Sequence, residues 1–153
     1  MATKLGTTAA PGRYAPVNGL SMYYEIYGAG RPLVLLHGAF MTIESSFQKM
    51  LPTLAETRQV IAVEQQAHGR TADIDRPLTY GGMAADTVAL LRHLGIKEAD
   101  VFGYSMGAAI ALESAVRHPV RGRLRPNGAE PGGLACNDRE GEATGPGVWG
   151  LDG

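Results

Sequence analysis

Cysteine is almost missing from this sequence: Cys136 is the only one in 153 residues. A lone thiol cannot close an internal disulfide, so a disulfide framework is excluded and a cytoplasmic setting is expected. No apolar run comes near the roughly 20 residues of a membrane span, so no membrane partner is expected. Met1 to Gly12 offers one lysine and no apolar stretch behind it, so no secretory leader is expected either. An excess of charge of one sign is also lacking. With 14 basic and 15 acidic residues, nothing favours nucleic acid or an anionic lipid surface. Histidine is sparse, at positions 37, 68, 93 and 118, and none pairs with Cys or a carboxylate at a ligand spacing, so no metal site is predicted.

What is present is a regular alternation of short apolar runs and helical patterns. Residues 1–12 are small and polar and are expected to be disordered. From Arg13 to Tyr27 the sequence predicts a β-hairpin, with Asn18-Gly19 as a type I′ turn signal and Leu20, Met22, Tyr24 and Ile26 alternating with their neighbours. Pro32–Leu36 and Gln59–Val63 lack alternation, the pattern of strands covered on both faces in a parallel sheet. Between them Phe47, Met50, Leu51 and Leu54 recur at helical spacing, with Pro52 marking the end region. A helix is predicted over Tyr80–Leu94, with Ala84, Thr87, Val88, Leu91 and Leu94 on one face and Gly95 at its C-terminal cap. Ala99–Phe102 reads as a strand. Met106–His118 reads as a helix apolar nearly all round, which is expected to lie under other structure. This order predicts an α/β fold with a parallel sheet over residues 13–119. The pattern then stops. Residues 121–153 hold nine of the 21 glycines and no Ile, Phe, Tyr or Met. Residues 120–153 are therefore expected to be a disordered tail, and their Gly, Arg, Pro and Ala excess resembles a GC-rich gene read out of register.

Gly103-Tyr104-Ser105-Met106-Gly107 carries the chemistry. It follows a predicted buried strand and opens an apolar helix, as a nucleophile elbow does. Such a turn presents a serine hydroxyl for attack on a carbonyl, in a left-handed backbone conformation that Gly103 and Gly107 relieve of steric conflict. Ser105 is the expected nucleophile, and the Met106 backbone N–H, at the helix N-terminus, is aimed at a developing oxyanion. The alternative is a serine capping a helix in a glycine-rich turn. His37-Gly38-Ala39-Phe40 follows the first buried strand, where the second oxyanion donor belongs; the Ala39 N–H is the candidate, with the Phe40 N–H as the alternative. His37, Phe40 and Tyr104 are candidate substrate-side residues. Glu64–Thr71 is expected to be a structural loop across the strand tips, with His68 and Arg70 able to face a substrate. A dinucleotide-binding half-domain fits poorly, because the first strand–turn–helix lacks a Gly-x-Gly-x-x-Gly run.

Residues 13–119 resemble the N-terminal half of an α/β-hydrolase-fold enzyme, close to the esterase, haloperoxidase-like and C–C-hydrolase branch. The hairpin, Leu35-Leu36-His37-Gly38, His68-Gly69-Arg70-Thr71, Val101-Phe102-Gly103-Tyr104-Ser105-Met106-Gly107 and Arg117-His118-Pro119 carry the resemblance. Glu64 and Ala67 stand where relatives usually show Asp and Gly, and Ala108 replaces a frequent second glycine. The resemblance implies a serine hydrolase acting on a small-molecule ester or similar acyl substrate without a cofactor. Relatives that open epoxides or displace halide use an aspartate nucleophile, against which Ser105 argues.

The resemblance also implies a triad acid and histidine later in the chain than the serine. None is expected in this chain. Asp138, Glu140, Glu142 and Asp152 lie in the patternless tail, and no histidine follows His118. His118 stands 13 residues along the elbow helix, about 20 Å from Ser105 at 1.5 Å per residue. The chain is accordingly expected to be inactive alone. The rival reading is a non-catalytic fragment or binding partner, completed by a second chain that supplies the missing strands at an open sheet edge.

Overall fold

The computed structural model describes residues 12–117. The expected disordered segments, 1–12 apart from Gly12 and 120–153, lie outside the described residues. Five strands form one mixed sheet in the order β1-β2-β4-β3-β5: β1 (Arg13–Val17), β2 (Leu20–Tyr27), β3 (Arg31–Leu36), β4 (Arg58–Val63) and β5 (Asp100–Gly103). The hairpin turns at Asn18 and Gly19, with φ of 48° and 84°, the two left-handed residues a type I′ turn requires. β3 runs parallel to both β4 and β5, as the apolar runs predict. The hairpin docks antiparallel, with Tyr24 opposite Val63 and Ile26 opposite Ile61.

The uninterrupted apolar runs have a simple cause. Successive side chains of a strand point to opposite faces, and both faces here are covered. Val34, Leu36, Ile61 and Val63 join Met22 and Tyr24 beneath α3 (Tyr80–His93) and α4 (Met106–Arg117). Leu33, Leu35, Val60 and Ala62 pack on the other face with Ile43, Phe47 and Leu51. Those last three come from α1 (Ile43–Phe47) and α2 (Leu51–Ala55). The single helical stretch predicted here is thus two short helices. Pro52 occupies the first turn of α2, where its missing N–H costs nothing, so it starts a helix instead of ending one. Thr42 and Ser45 cap α1 reciprocally.

Thr79 caps α3 by accepting the Gly82 N–H at 3.0 Å. The helix stops at Gly95, φ 69°, where the Gly95 N–H donates to the Arg92 carbonyl and the Ile96 N–H to the Leu91 carbonyl. That is a Schellman ending. Ala84, Thr87, Val88 and Leu91 are buried on the predicted face. No described helix is long and apolar enough to cross a membrane.

α4 departs from expectation. Among the described residues only Gly107, Ile110 and Ser114 are buried on it, while Leu112 and Val116 are 64% and 71% exposed. One face meets the sheet and α3; the opposite face has no cover among the described residues. Ile110→Ala is expected to cost about 2–5 kcal/mol in denaturant unfolding. Leu112→Ala and Val116→Ala should each stay within about 0.5 kcal/mol of the parent. Equal losses at all three positions would contradict this arrangement.

Candidate active site

β5 brings the Gly103–Gly107 turn to the end of the sheet. Leu36 pairs with Gly103 in the parallel ladder, and the Tyr104 N–H donates to the Leu36 carbonyl at 3.0 Å. The chain then reverses at Ser105, whose φ is 53°. The Gly107 N–H donates to the Tyr104 carbonyl and the Ala108 N–H to the Ser105 carbonyl, both at 2.9 Å. The flanking glycines are there because the first turn of α4 lies directly on the strands. A Cβ on Gly103 would stand 2.2 Å from the Gly107 carbonyl, and one on Gly107 would stand 2.1 Å from the Leu36 oxygen. No side chain fits either gap. Ser105 is exposed at the start of α4, where unpaired N–H groups give the helix end its partial positive charge.

The loop after β3 lies beside this turn. A Cβ on Gly38 would come within 3.0 Å of the Tyr104 ring and of the Met41 sulfur. Phe40 follows at φ 59°, almost wholly exposed, and Tyr104 is half exposed. Among the described residues, neither the Ala39 nor the Met106 N–H donates to a backbone carbonyl.

His37 requires a correction. It was expected on the substrate side, but it is fully buried. Its Nδ1 hydrogen-bonds the Gly38 carbonyl at 2.8 Å, and its Nε2 lies 3.0 Å from the Gln65 N–H. A carbonyl can only accept and an amide N–H can only donate, so the ring is the neutral Nδ1–H tautomer with both nitrogens occupied. It ties β3 to the loop after β4 and has no nitrogen left for the Ser105 proton. The His68 ring lies 5.0 Å from the His37 ring, and its Nδ1 hydrogen-bonds the Gln66 carbonyl at 2.8 Å.

The loop after β4, Glu64–Thr71, is a structural loop built around the carboxylate of Glu64. Glu64 is fully buried. It accepts from the Arg70 N–H at 2.5 Å, from the Arg70 guanidinium at 2.7 and 3.1 Å, and from the Ile43 N–H at 3.3 Å. Arg70 also spans Glu44 at 2.8 and 3.0 Å and lies 4.0 Å over the Tyr23 ring. The Glu64 hydrogen bond is the main reason that its guanidinium is held even more firmly protonated than usual. Gly69 leaves room for this carboxylate, since a Cβ there would meet it at 2.3 Å. Tyr23 and Tyr27 both donate to the buried Glu25, and burial together with that bond pushes the Tyr23 phenol up to about 12. Arg70 is thus committed to bracing the loop. A sequence signal existed: a carboxylate closing an apolar strand, with an arginine six residues on. Among the described residues, no three His, Cys, Asp or Glu side chains come together as a metal site.

Burial holds the His37 pKa below its usual 6.5. The unfolded chain therefore binds a proton that the folded chain refuses between the lowered value and 6.5. This contribution to stability is complete above 6.5 and declines as the pH falls below it. Nitrogen NMR is expected to show the neutral His37 ring protonated at Nδ1 and to place its titration below the ordinary imidazole value of about 6.5. An Nε2-protonated ring, or a titration above that value, would contradict the assignment.

Comparison with known proteins agrees with this geometry. The family model described as alpha/beta hydrolase fold matches residues 31–121. An uncharacterized hydrolase, YugF, of Bacillus subtilis (strain 168) is 34% identical over 113 residues, covering 72% of this chain and 41% of the relative. A soluble epoxide hydrolase of Corynebacterium sp. (strain C12) is 36% identical over 101 residues, 64% of this chain and 34% of the relative. Among solved structures, the epoxide hydrolase CorEH without ligand superposes with a TM-score of 0.68 at 31% identity, over 71% of this chain and 38% of that one. Est816, described as an N-acyl homoserine lactone degrading enzyme, gives a TM-score of 0.64 at 28% identity, over 73% and 42%. The chain spans about two fifths of the length of these relatives, coverage that fits the N-terminal half of the fold. It belongs to the alpha/beta hydrolase fold family.

Proposed function

We propose that this chain carries the acyl-transfer centre of a serine hydrolase acting on a small-molecule ester or similar acyl compound. Ser105 is the nucleophile, and the Ala39 and Met106 N–H groups hold the oxyanion. Tyr104 and Phe40 stand on the substrate side. The observation that carries this reading is the φ of 53° at Ser105, a serine held in a strained turn on top of the sheet with its side chain exposed. Chemistry favours an acyl substrate over an epoxide. A serine oxygen that opened an epoxide would be left in an ether, with no acyl carbon for water to attack. Addition to an ester instead gives an acyl-serine that water releases.

Among the described residues, the hydrogen bonds of His37 and His68 run to the backbone and none reaches the Ser105 hydroxyl. A serine without its base loses roughly 10⁶ in kcat, with about 10³–10⁴ over water remaining from the oxyanion donors and binding. The chain alone is accordingly a slow acyl acceptor. Incubation with p-nitrophenyl acetate should leave an acetyl group on Ser105, readable by peptide mass spectrometry and absent in Ser105→Ala. Acetylation elsewhere, or none, would overturn the reading.

A second reading has its own support. β5 has β3 as its one partner among the described strands, and α4 leaves Leu112 and Val116 uncovered. Both features suit a chain completed by a second polypeptide that extends the sheet. In that case Leu112→Glu and Val116→Glu should leave the chain's own unfolding midpoint unchanged. They should also abolish complementation by a purified C-terminal half of an alpha/beta hydrolase, read as a gain in ester turnover. No gain with the parent chain would count against this reading.

A further inference from the structure

Among the described strands the sheet ends at β1 on one side and β5 on the other, and only one of these edges is defended. β1 carries Arg13 and Pro16, and a proline has no N–H to offer an incoming strand. β5, Asp-Val-Phe-Gly, has neither device. Its one charge, Asp100, is already held by Arg31 at 2.7 Å and by Arg58 at 2.5 Å. Residues 101–112 contain no Asp, Glu, Lys or Arg, so two copies of this segment can approach without like charges meeting.

The ladder fixes which groups β5 offers. The Tyr104 N–H donates to the Leu36 carbonyl, so Tyr104 faces β3, and by the alternation of a strand Phe102 and Asp100 do too. The N–H and C=O of Val101 and Gly103 therefore point out of the sheet. β5 of a second copy, run antiparallel, matches all four groups when Val101 stands opposite Gly103 of that copy. Each such pair exchanges two hydrogen bonds, and the twofold axis passes between the two Phe102 residues. The helices fit the same arrangement. α4 rests on β3 and β5, with Gly107 on the Leu36 carbonyl and Gly103 under Gly107. The twofold axis sets the two α4 helices about two strand spacings apart, roughly 10 Å, a distance at which helices pack. α3 lies on the β1 side of α4, in contact with both, so the second helix arrives on the side that α3 leaves open.

We propose that β5 is a homodimer interface, at which two copies of this chain join antiparallel into one continuous sheet. The inference rests on the open-edge reading above and names the second polypeptide as another copy. Sedimentation equilibrium of the full 153-residue chain should give a dimer. Val101→Pro removes an outward N–H and no bond to β3. It should keep the parent's circular dichroism and weaken the dimer about tenfold or more, since two hydrogen bonds are lost per dimer. The register is read separately, in a Cys136→Ser background that also decides the matter should Val101→Pro not fold. Phe102→Cys puts two thiols on a non-hydrogen-bonded pair, about 4.5 Å apart at Cα, and mild oxidation should link the copies. Val101→Cys puts its two thiols on a diagonal, about 7–8 Å apart, and should not be linked. A monomer at every concentration, an undiminished dimer in Val101→Pro, or equal cross-linking of the two cysteine variants would overturn the inference. A monomeric parent that still gains ester turnover from a purified hydrolase C-terminal half would overturn it and keep the open-edge reading.

Discussion

The proposed chemistry depends on how closely the first turn of α4 lies against the end of β3. Gly107 sits on the Leu36 carbonyl and Gly103 sits under the Gly107 carbonyl, each gap too small for a methyl group. This contact forces the chain to reverse within two residues after β5, and the reversal places Ser105 in the left-handed region with its hydroxyl outward. The buried parallel strands supply the rigid floor. β3 pairs with both β4 and β5, so its end is fixed from two sides, and the Tyr104 N–H is anchored to it. A site held by backbone in this way is preorganised before any substrate arrives.

The polar groups around that floor serve it. His37 and Glu64 are both fully buried, yet neither is free to do chemistry. His37 links the β3 loop to Gln65, and Glu64 links the β4 loop to α1 through Arg70 and Ile43. A buried carboxylate is tolerated because an arginine and two backbone donors satisfy it, and removing one partner would strand the other. The outcome is two loops, after β3 and after β4, that are tied to each other and to α1.

Much of this was legible in the sequence because backbone requirements write themselves as residue types. Asn18-Gly19, Gly95, Gly103 and Gly107 each mark a place where a side chain is disfavoured or the backbone turns left-handed, and each was read for that reason. The two-faced strands were legible as runs without alternation. Side-chain commitments were less legible. Nothing in His-Gly says that the imidazole turns inward, because its partner Gln65 is 28 residues away and donates through its backbone. Pro52 was read as a stop because proline suits both a helix's first turn and the residues just beyond its end. α4 was expected to be covered because composition reports what a helix can bury, and its outer face has no neighbour among the described residues.

Ser105 is held at positive φ by the contact between α4 and β3. Replacing Ser105 with glycine tests it by sign. Left-handed strain at a residue with a Cβ costs about 1–2 kcal/mol, and glycine in the interior of an ordinary helix costs about 0.5–1 kcal/mol instead. In urea unfolding, Ser105→Gly is predicted to raise the midpoint above that of Ser105→Ala. A lower midpoint for the glycine variant would mean that the serine sits in an ordinary helix and that no elbow exists.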